Sequence, residues 1–172
     1  MNYFILKQDR NLENAVRIEG FNNSKKITLL KKDELEYSDC SNIPILCNEN
    51  TVYPDFIQAP VLLISDELHK IFKMYENTVI YKLVFFTNLK MKLQKVYRLV
   101  FPELVEALSD ETTYQKNGWV DKIVLDKNKI GDYKVFQIKA GVDYYLVISL
   151  EVAESILKRN FMGIQFEKVE VM

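Results

Sequence analysis

At 172 residues the chain suits one domain, or one and a half, and can bury about two thirds of its unfolded surface, so no metal or disulfide is needed to make a core. With 48% hydrophobic and 27% charged residues and only five Gly and four Pro, it has the composition of a soluble globular protein rather than a low-complexity one. A net charge of −1 excludes whole-surface attraction to nucleic acid or to an anionic membrane and leaves a local basic patch open.

The opening MNYFILKQDR has neither a basic n-region nor a long apolar stretch, and the longest apolar runs are about five residues, against the roughly 20 of a membrane span. A soluble, cytoplasmic protein with no membrane partner is the expectation. Residues 3–7 (YFILK) predict a first strand, DRN at 9–11 a turn, and residues 15–18 a second strand. FNNS at 21–24 is loop chemistry and residues 27–30 read as a short strand. From 31 to 50 the periodic signal is weak, and KKDELEYSDC reads as a frayed helix or a solvated loop. Cys40 and Cys47 flank SNIPIL; without an export signal two free thiols are expected, and two Cys with one His make no zinc site without carboxylates. Residues 1–52 thus read as a β-rich N-terminal region. YPDFIQAP at 53–60 follows as an ordered linker, because Pro lacks an amide donor and biases its predecessor toward extended backbone. The main domain is then 53–172.

Two stretches of that domain nearly repeat: residues 62–72 read LLISDELHKIF and residues 146–156 read LVISLEVAESI. In the first, a short apolar strand runs into Ser65, an N-cap residue, with Asp66 and Glu67 at the positive end of the helix dipole. Leu68, Ile71, Phe72 and Tyr75 then recur at helical spacing, and residues 79–86 return as a strand. In the second, Ser149 is the cap, Glu151 lies in the first turn, Val152, Ala153, Ile156 and Leu157 form the apolar face, and Lys158 and Arg159 sit in the last turn. Residues 164–171 make the closing strand. Helices this short are marginal alone, whereas burying four apolar side chains contributes roughly 1.5–3 kcal/mol each. Both segments are therefore scaffold, helical only where they pack on a sheet.

Between the repeats, residues 79–86 and 96–101 flank the basic TNLKMKLQK, and residues 120–125 and 133–138 flank DKNKIGD, giving two hairpins. PELVEAL at 102–108 reads as a short helix. The fold class is α+β: a mixed, mostly antiparallel sheet with two strand–helix–strand units and two hairpins, or the same elements in two small sheets.

Chemistry-bearing patterns are few. The single histidine, His69, has no orienting carboxylate or nucleophile at a recognisable spacing and reads as a half-exposed helix residue. No nucleophile elbow, phosphate loop or dinucleotide fingerprint occurs. Glu103 with Glu106 and Asp110 with Glu111 are acidic pairs that read as solvated loops, or as a carboxylate site for a cation or acid–base chemistry. Lys90, Lys92, Lys95 and Arg98, interleaved with Met91, Leu93, Val96 and Tyr97, describe a hairpin with one face in water, or a grip on single-stranded nucleic acid. Trp119 beside Gly118 reads as a partly buried core residue or a partner anchor.

Tyr53-Pro54-Asp55-Phe56, Ser65-Asp66-Glu67-Leu68, KIVLD at 122–126, VISLEVAESIL at 147–157 and EKVEV at 167–171 together resemble a largely uncharacterised bacterial family. That family is similar to predicted immunity proteins of polymorphic toxin systems. The resemblance runs from Tyr53 to the last residues and is weak over 1–50; its motifs are structural and carry no active site. It implies a non-enzymatic, cofactor-free protein that binds and neutralises a cognate toxin by occlusion. Tyr53, Asp55, Phe56, Glu103, Glu106, Asp110, Glu111 and Trp119 are the residues expected to face that partner. A carboxylate enzyme and a nucleic-acid-binding module are the rival expectations.

Overall fold

The computed structural model describes residues 2–18 and 40–172; the readings of 21–24 as loop, 27–30 as strand and 31–39 as helix or loop fall outside them. In chain order the elements are β1 (Tyr3–Gln8), β2 (Arg17–Ile18), β3 (Cys40–Leu46), β4 (Phe56–Ile57), β5 (Leu63–Ser65), α1 (Asp66–Tyr75), β6 (Ile80–Asn88) and β7 (Leu93–Phe101). There follow β8 (Thr113–Tyr114), β9 (Val120–Lys122), β10 (Val124–Leu125), α2 (Lys127–Ile130), β11 (Val135–Ala140), β12 (Asp143–Ser149), α3 (Leu150–Leu157) and β13 (Ile164–Val171). The class is α+β with mixed sheets, and the strands divide into two large sheets, ordered β2-β3-β6-β7-β5-β4 and β10-β13-β1-β12-β11, beside a small β8–β9 pair.

The repeated phrase is a repeated structure. In the first unit β5 leads through α1 to β6, and β7 lies between them, antiparallel to both. In the second β12 leads through α3 to β13, and β1 lies between them, again antiparallel to both. Each is a split β-α-β unit. The likeness extends outward: β4 lies antiparallel on β5 as β11 does on β12, and β3 runs parallel to β6 as β10 does to β13. Five strands thus share order and direction, and the chain route differs at one place. In the first unit the central strand follows directly from β6 by a hairpin; in the second it is β1, drawn from ahead of the entire first unit.

This arrangement corrects the division at residue 52. β1 pairs with β12 over Tyr3–Leu6 and with β13 over Tyr3–Gln8, so it is the middle of the second sheet; β3 belongs to the first. Among the described residues, β1 and β3 satisfy their backbone donors and acceptors on strands of the main body, and β2 pairs with β3.

Both helices form where expected. Ser65 Oγ accepts a hydrogen bond from Leu68 N at 3.2 Å, capping α1, whose buried face is Leu68, Ile71 and Phe72. Ser149 occupies the cap position of α3, but its hydroxyl is fully buried and donates instead to Glu151 Oε2 at 3.2 Å. Val152, Ala153 and Ile156 are buried as expected, whereas Leu157, the last helical residue, is 68% exposed and does not belong to the face. Arg159, beyond the helix end, donates from Nη1 to Ser155 O at 2.6 Å, so the positive charge still meets the terminal carbonyls.

The two apolar faces meet in one core with Leu6, Leu146 and Ile148 of the second sheet and Phe56, Ile64 and Val100 of the first. Tyr75 Oη and Ser155 Oγ, 2.6 Å apart, close the helix–helix contact. Glu76, the C-cap residue of α1, reaches across the units: its Oε2 accepts from Lys134 N at 2.9 Å and its Oε1 from Thr78 Oγ1 at 2.8 Å and Thr78 N at 3.2 Å. Burial raises the pKa of this carboxyl, but the convergent donors outweigh that and hold it below its ordinary 4.5.

Three further expectations are corrected. The 53–60 linker contains β4, and Phe56 and Ile57 are core residues. PELVEAL is not helical; it runs extended beside β11, with Gln137 N donating to Glu103 O at 2.7 Å and Val105 N to Gln137 O at 2.8 Å, because the outer edge of β11 offers backbone partners that a short isolated helix lacks. The hairpin of 120–125 with 133–138 does not form: β9 pairs with β8, β10 with β13 and β11 with β12. DKNKIGD is no hairpin turn but α2, capped by Asp126 Oδ1 accepting from Asn128 N at 2.9 Å. The β6–β7 hairpin forms as expected, with nine residue pairs in register.

Phe72 is fully enclosed and Ile156 nearly so. Phe72→Ala and Ile156→Ala are each expected to cost about 2–5 kcal/mol, and Leu157→Ala little, in urea titrations; midpoints near wild type for the first two would show the shared core to be misassigned. Because the Glu76 pKa is depressed on folding, its contribution is complete above its ordinary 4.5 and is lost as the pH falls through the lower folded value. Stability should therefore decline with acidification in that window, and Glu76→Gln should flatten the decline.

Candidate functional site

Two adjoining grooves open where the sheets meet. Reciprocal bonds between two glutamines hold the seam: Gln58 N donates to Gln8 Oε1 at 3.0 Å and Gln8 N to Gln58 Oε1 at 3.4 Å. The first groove, about 600 Å³, runs over Phe56, Leu62, Val100 and Leu146, with Glu103, Leu104 and Tyr144 also lining it. The second, about 620 Å³, is lined by Arg10, Asn11, Trp119, Asp143, Tyr144 and Gln165, among others. Gln58 and Tyr144 line both, so the two are continuous.

The aromatic side chains here are held from below. Tyr144 lies on β12 opposite Lys139, whose ammonium sits 5.7 Å from the centre of its ring. Trp119 closes a tight loop in which Gln115 N donates to Trp119 O at 2.8 Å and Trp119 N to Asn117 Oδ1 at 3.1 Å. That loop rests on the two-residue β11–β12 turn: a Cβ on Gly141, at φ +65°, would come within 2.8 Å of Gly118 O, so the turn requires glycine. Trp119 is 54% and Tyr144 49% exposed, with Leu104 and Val142 also exposed nearby in sequence or fold.

The residues expected to face a partner separate into three groups. Glu103 and Trp119 line these grooves. Tyr53, Asp55 and Phe56 are structural. Phe56 is fully enclosed and has no surface to offer beyond the groove floor. Asp55 grips the turn after α3, its Oδ2 accepting from Met162 N at 2.7 Å and its own N donating to Met162 O at 2.9 Å. Pro54 packs so closely on Gly163 that a Cβ there would lie 2.5 Å from Pro54 Cβ, and Pro54 O accepts from Tyr97 Oη at 2.8 Å. Burial first, and then the Cys47 thiol beside it, push the pKa of the Tyr53 hydroxyl up to about 12. Glu106, Asp110 and Glu111 are exposed and line neither groove. Tyr144 and Gln58 are the site residues that sequence reading missed; alternation places Tyr144 on the same face as Leu146 and Ile148 but gives no sign of the groove.

His69 packs edge-on against Tyr81, ring centres 4.4 Å apart, and burial followed by the nearby Arg98 charge lowers its pKa. Arg98 is committed to Asp66, donating from Nη2 at 2.8 Å and Nε at 3.1 Å to the same oxygen, and this hydrogen-bonded pair holds the Asp66 carboxyl low. Among the described residues no three His, Cys, Asp or Glu side chains come together in a way that would hold a metal ion, and no helix is long and apolar enough to cross a membrane. Cys40 and Cys47 form no disulfide with each other. No protein-family model matches the chain, and no curated protein matches it.

Trp119 is the only tryptophan, so its fluorescence reports this site alone. Its emission is expected to be readily quenched by acrylamide in the free protein, and to shift to the blue with loss of quenching when the grooves are covered. Strong protection in the free protein would place the indole in the interior instead.

Proposed function

We propose that this chain is a non-enzymatic, cytoplasmic protein of the immunity type, which binds a cognate bacterial toxin without a cofactor and neutralises it by covering its working surface. The observation that carries the reading is the pair of continuous grooves flanked by half-exposed Trp119 and Tyr144. Large amphipathic rings on a rigid support lose little conformational freedom on binding, and Trp and Tyr dominate the energetics of protein interfaces. The sheets supply the rigidity and the edge loops the recognition, which is the division of labour an occlusive inhibitor needs. The resemblance of the 53–172 stretch to predicted immunity proteins supports the same reading. The carboxylate-enzyme alternative asked Glu103, Glu106, Asp110 and Glu111 to converge, and only Glu103 lines a groove.

Co-expression with the toxin encoded beside its gene is the direct test. Growth should be rescued, and a complex should be recovered from which Trp119→Ala and Tyr144→Ala each remove about tenfold or more in affinity, with melting temperatures near wild type. Absence of both rescue and complex would refute the reading; a complex indifferent to both substitutions would move the interface elsewhere.

A further inference from the structure

The β6–β7 hairpin has a composition unlike the rest of the molecule. From Ile80 to Phe101 it carries five cations and no carboxylate, in a chain whose net charge is −1. Three of the five are already engaged: Lys82 is buried, Arg98 is bonded to Asp66, and the Lys95 ammonium sits 5.3 Å from the centre of the Tyr53 ring. Lys90 and Lys92 remain exposed around the turn. Among them stands Leu89, 91% exposed, with Met91 exposed two residues on. Leu46 of neighbouring β3 is exposed as well, and β3 is tied to the turn by Asn88 Nδ2 donating to Ile45 O at 3.1 Å. The tip is rigid: Met91 N donates to Asn88 Oδ1 at 3.0 Å, below which nine residue pairs hold the strands in register. The adjoining stretch 40–50 adds one acidic residue, Glu49.

We infer that this tip docks peripherally on an anionic phospholipid surface, Leu89 entering the headgroup boundary while Lys90 and Lys92 meet lipid phosphates and carboxylates. Charge complementarity selects an anionic partner, and the side-chain chemistry selects lipid among such partners. Single-stranded nucleic acid is gripped by stacking on exposed rings, but of the aromatics nearest the tip Phe86 and Tyr97 are buried and Phe85 is partly buried, so none is a fully exposed ring. Protein interfaces are enriched in Arg and aromatics and depleted of Lys, and the tip has the reverse composition. Lysines around an exposed aliphatic apex suit the membrane interface, since long lysine stems lie along apolar matter while the ammonium stays at headgroup level. Two cations and a small apolar tip make the contact reversible. This surface is separate from the grooves that carry the proposed toxin contact.

Vesicles of phosphatidylcholine, alone or with roughly one third phosphatidylserine, test the inference by co-sedimentation with the full chain. Binding is expected to the anionic vesicles at low salt, about tenfold weaker or more on the neutral ones, and reversed as salt is raised. Leu89→Asp, and Lys90→Glu with Lys92→Glu, should each reduce it about tenfold while leaving the melting temperature unchanged. Trp119→Ala should leave it intact, which separates this result from the toxin experiment. No sedimentation at low salt, or equal sedimentation by the tip variants, overturns the inference. So does binding of a labelled single-stranded oligonucleotide, lost in the lysine double variant, by a protein that ignores vesicles.

Discussion

The structure depends on one contact, the shared apolar face between α1 and α3. A helix of 10 residues and another of eight would be largely unfolded in water. Each is held by a cap or terminal hydrogen bonds at its ends and by Leu68, Ile71 and Phe72 or Val152, Ala153 and Ile156 along its length. Because these faces meet the inner sides of both sheets in a single cluster, neither unit has a complete core without the other. Glu76 and the Tyr75–Ser155 bond add polar ties across the same boundary, where a register error would leave buried donors unpaired. The grooves lie at the seam this contact creates, so their position follows from the packing of the scaffold.

What could be read from the sequence was local. Ser65, the acidic first turn and the spacing of Leu68, Ile71 and Phe72 all act within a dozen residues, and α1 formed as they dictate. The β6–β7 hairpin likewise follows from two apolar runs around a polar turn. The errors fall where partners are distant in sequence. Residues 103–108 contain good helix formers, yet pair with Gln137 as an extended edge. β10 satisfies itself on β13 rather than on the nearer β11. Cys40–Leu46 lies within the 31–50 stretch whose periodic signal is weak, although Ile43 and Ile45 alternate inward as a strand requires. Of the site, Glu103 and Trp119 were legible as residue types without a reason to be buried; Tyr144 gains its meaning from the β11–β12 turn and from Gln58, neither of which local periodicity reveals.

The YPDF stretch shows how a distinctive motif can mislead. Its aromatic and acidic residues have the chemistry of a contact surface. Here they form a clasp: Asp55 binds the turn after α3, Pro54 lies against Gly163, and Phe56 fills the core.

The placement of β1 between β12 and β13 has a consequence for biosynthesis. Translation is vectorial, so these six residues leave the ribosome before either of the strands they pair with, which emerge more than a hundred residues later. The first unit can assemble its own five-stranded frame as it is made, whereas the second stays incomplete until β12 and β13 have emerged. A ribbon bearing Tyr3, Ile5 and Leu6 must meanwhile wait with unpaired edges, a state that invites self-association. Chaperone protection of that early segment is thus a demand that the topology itself imposes.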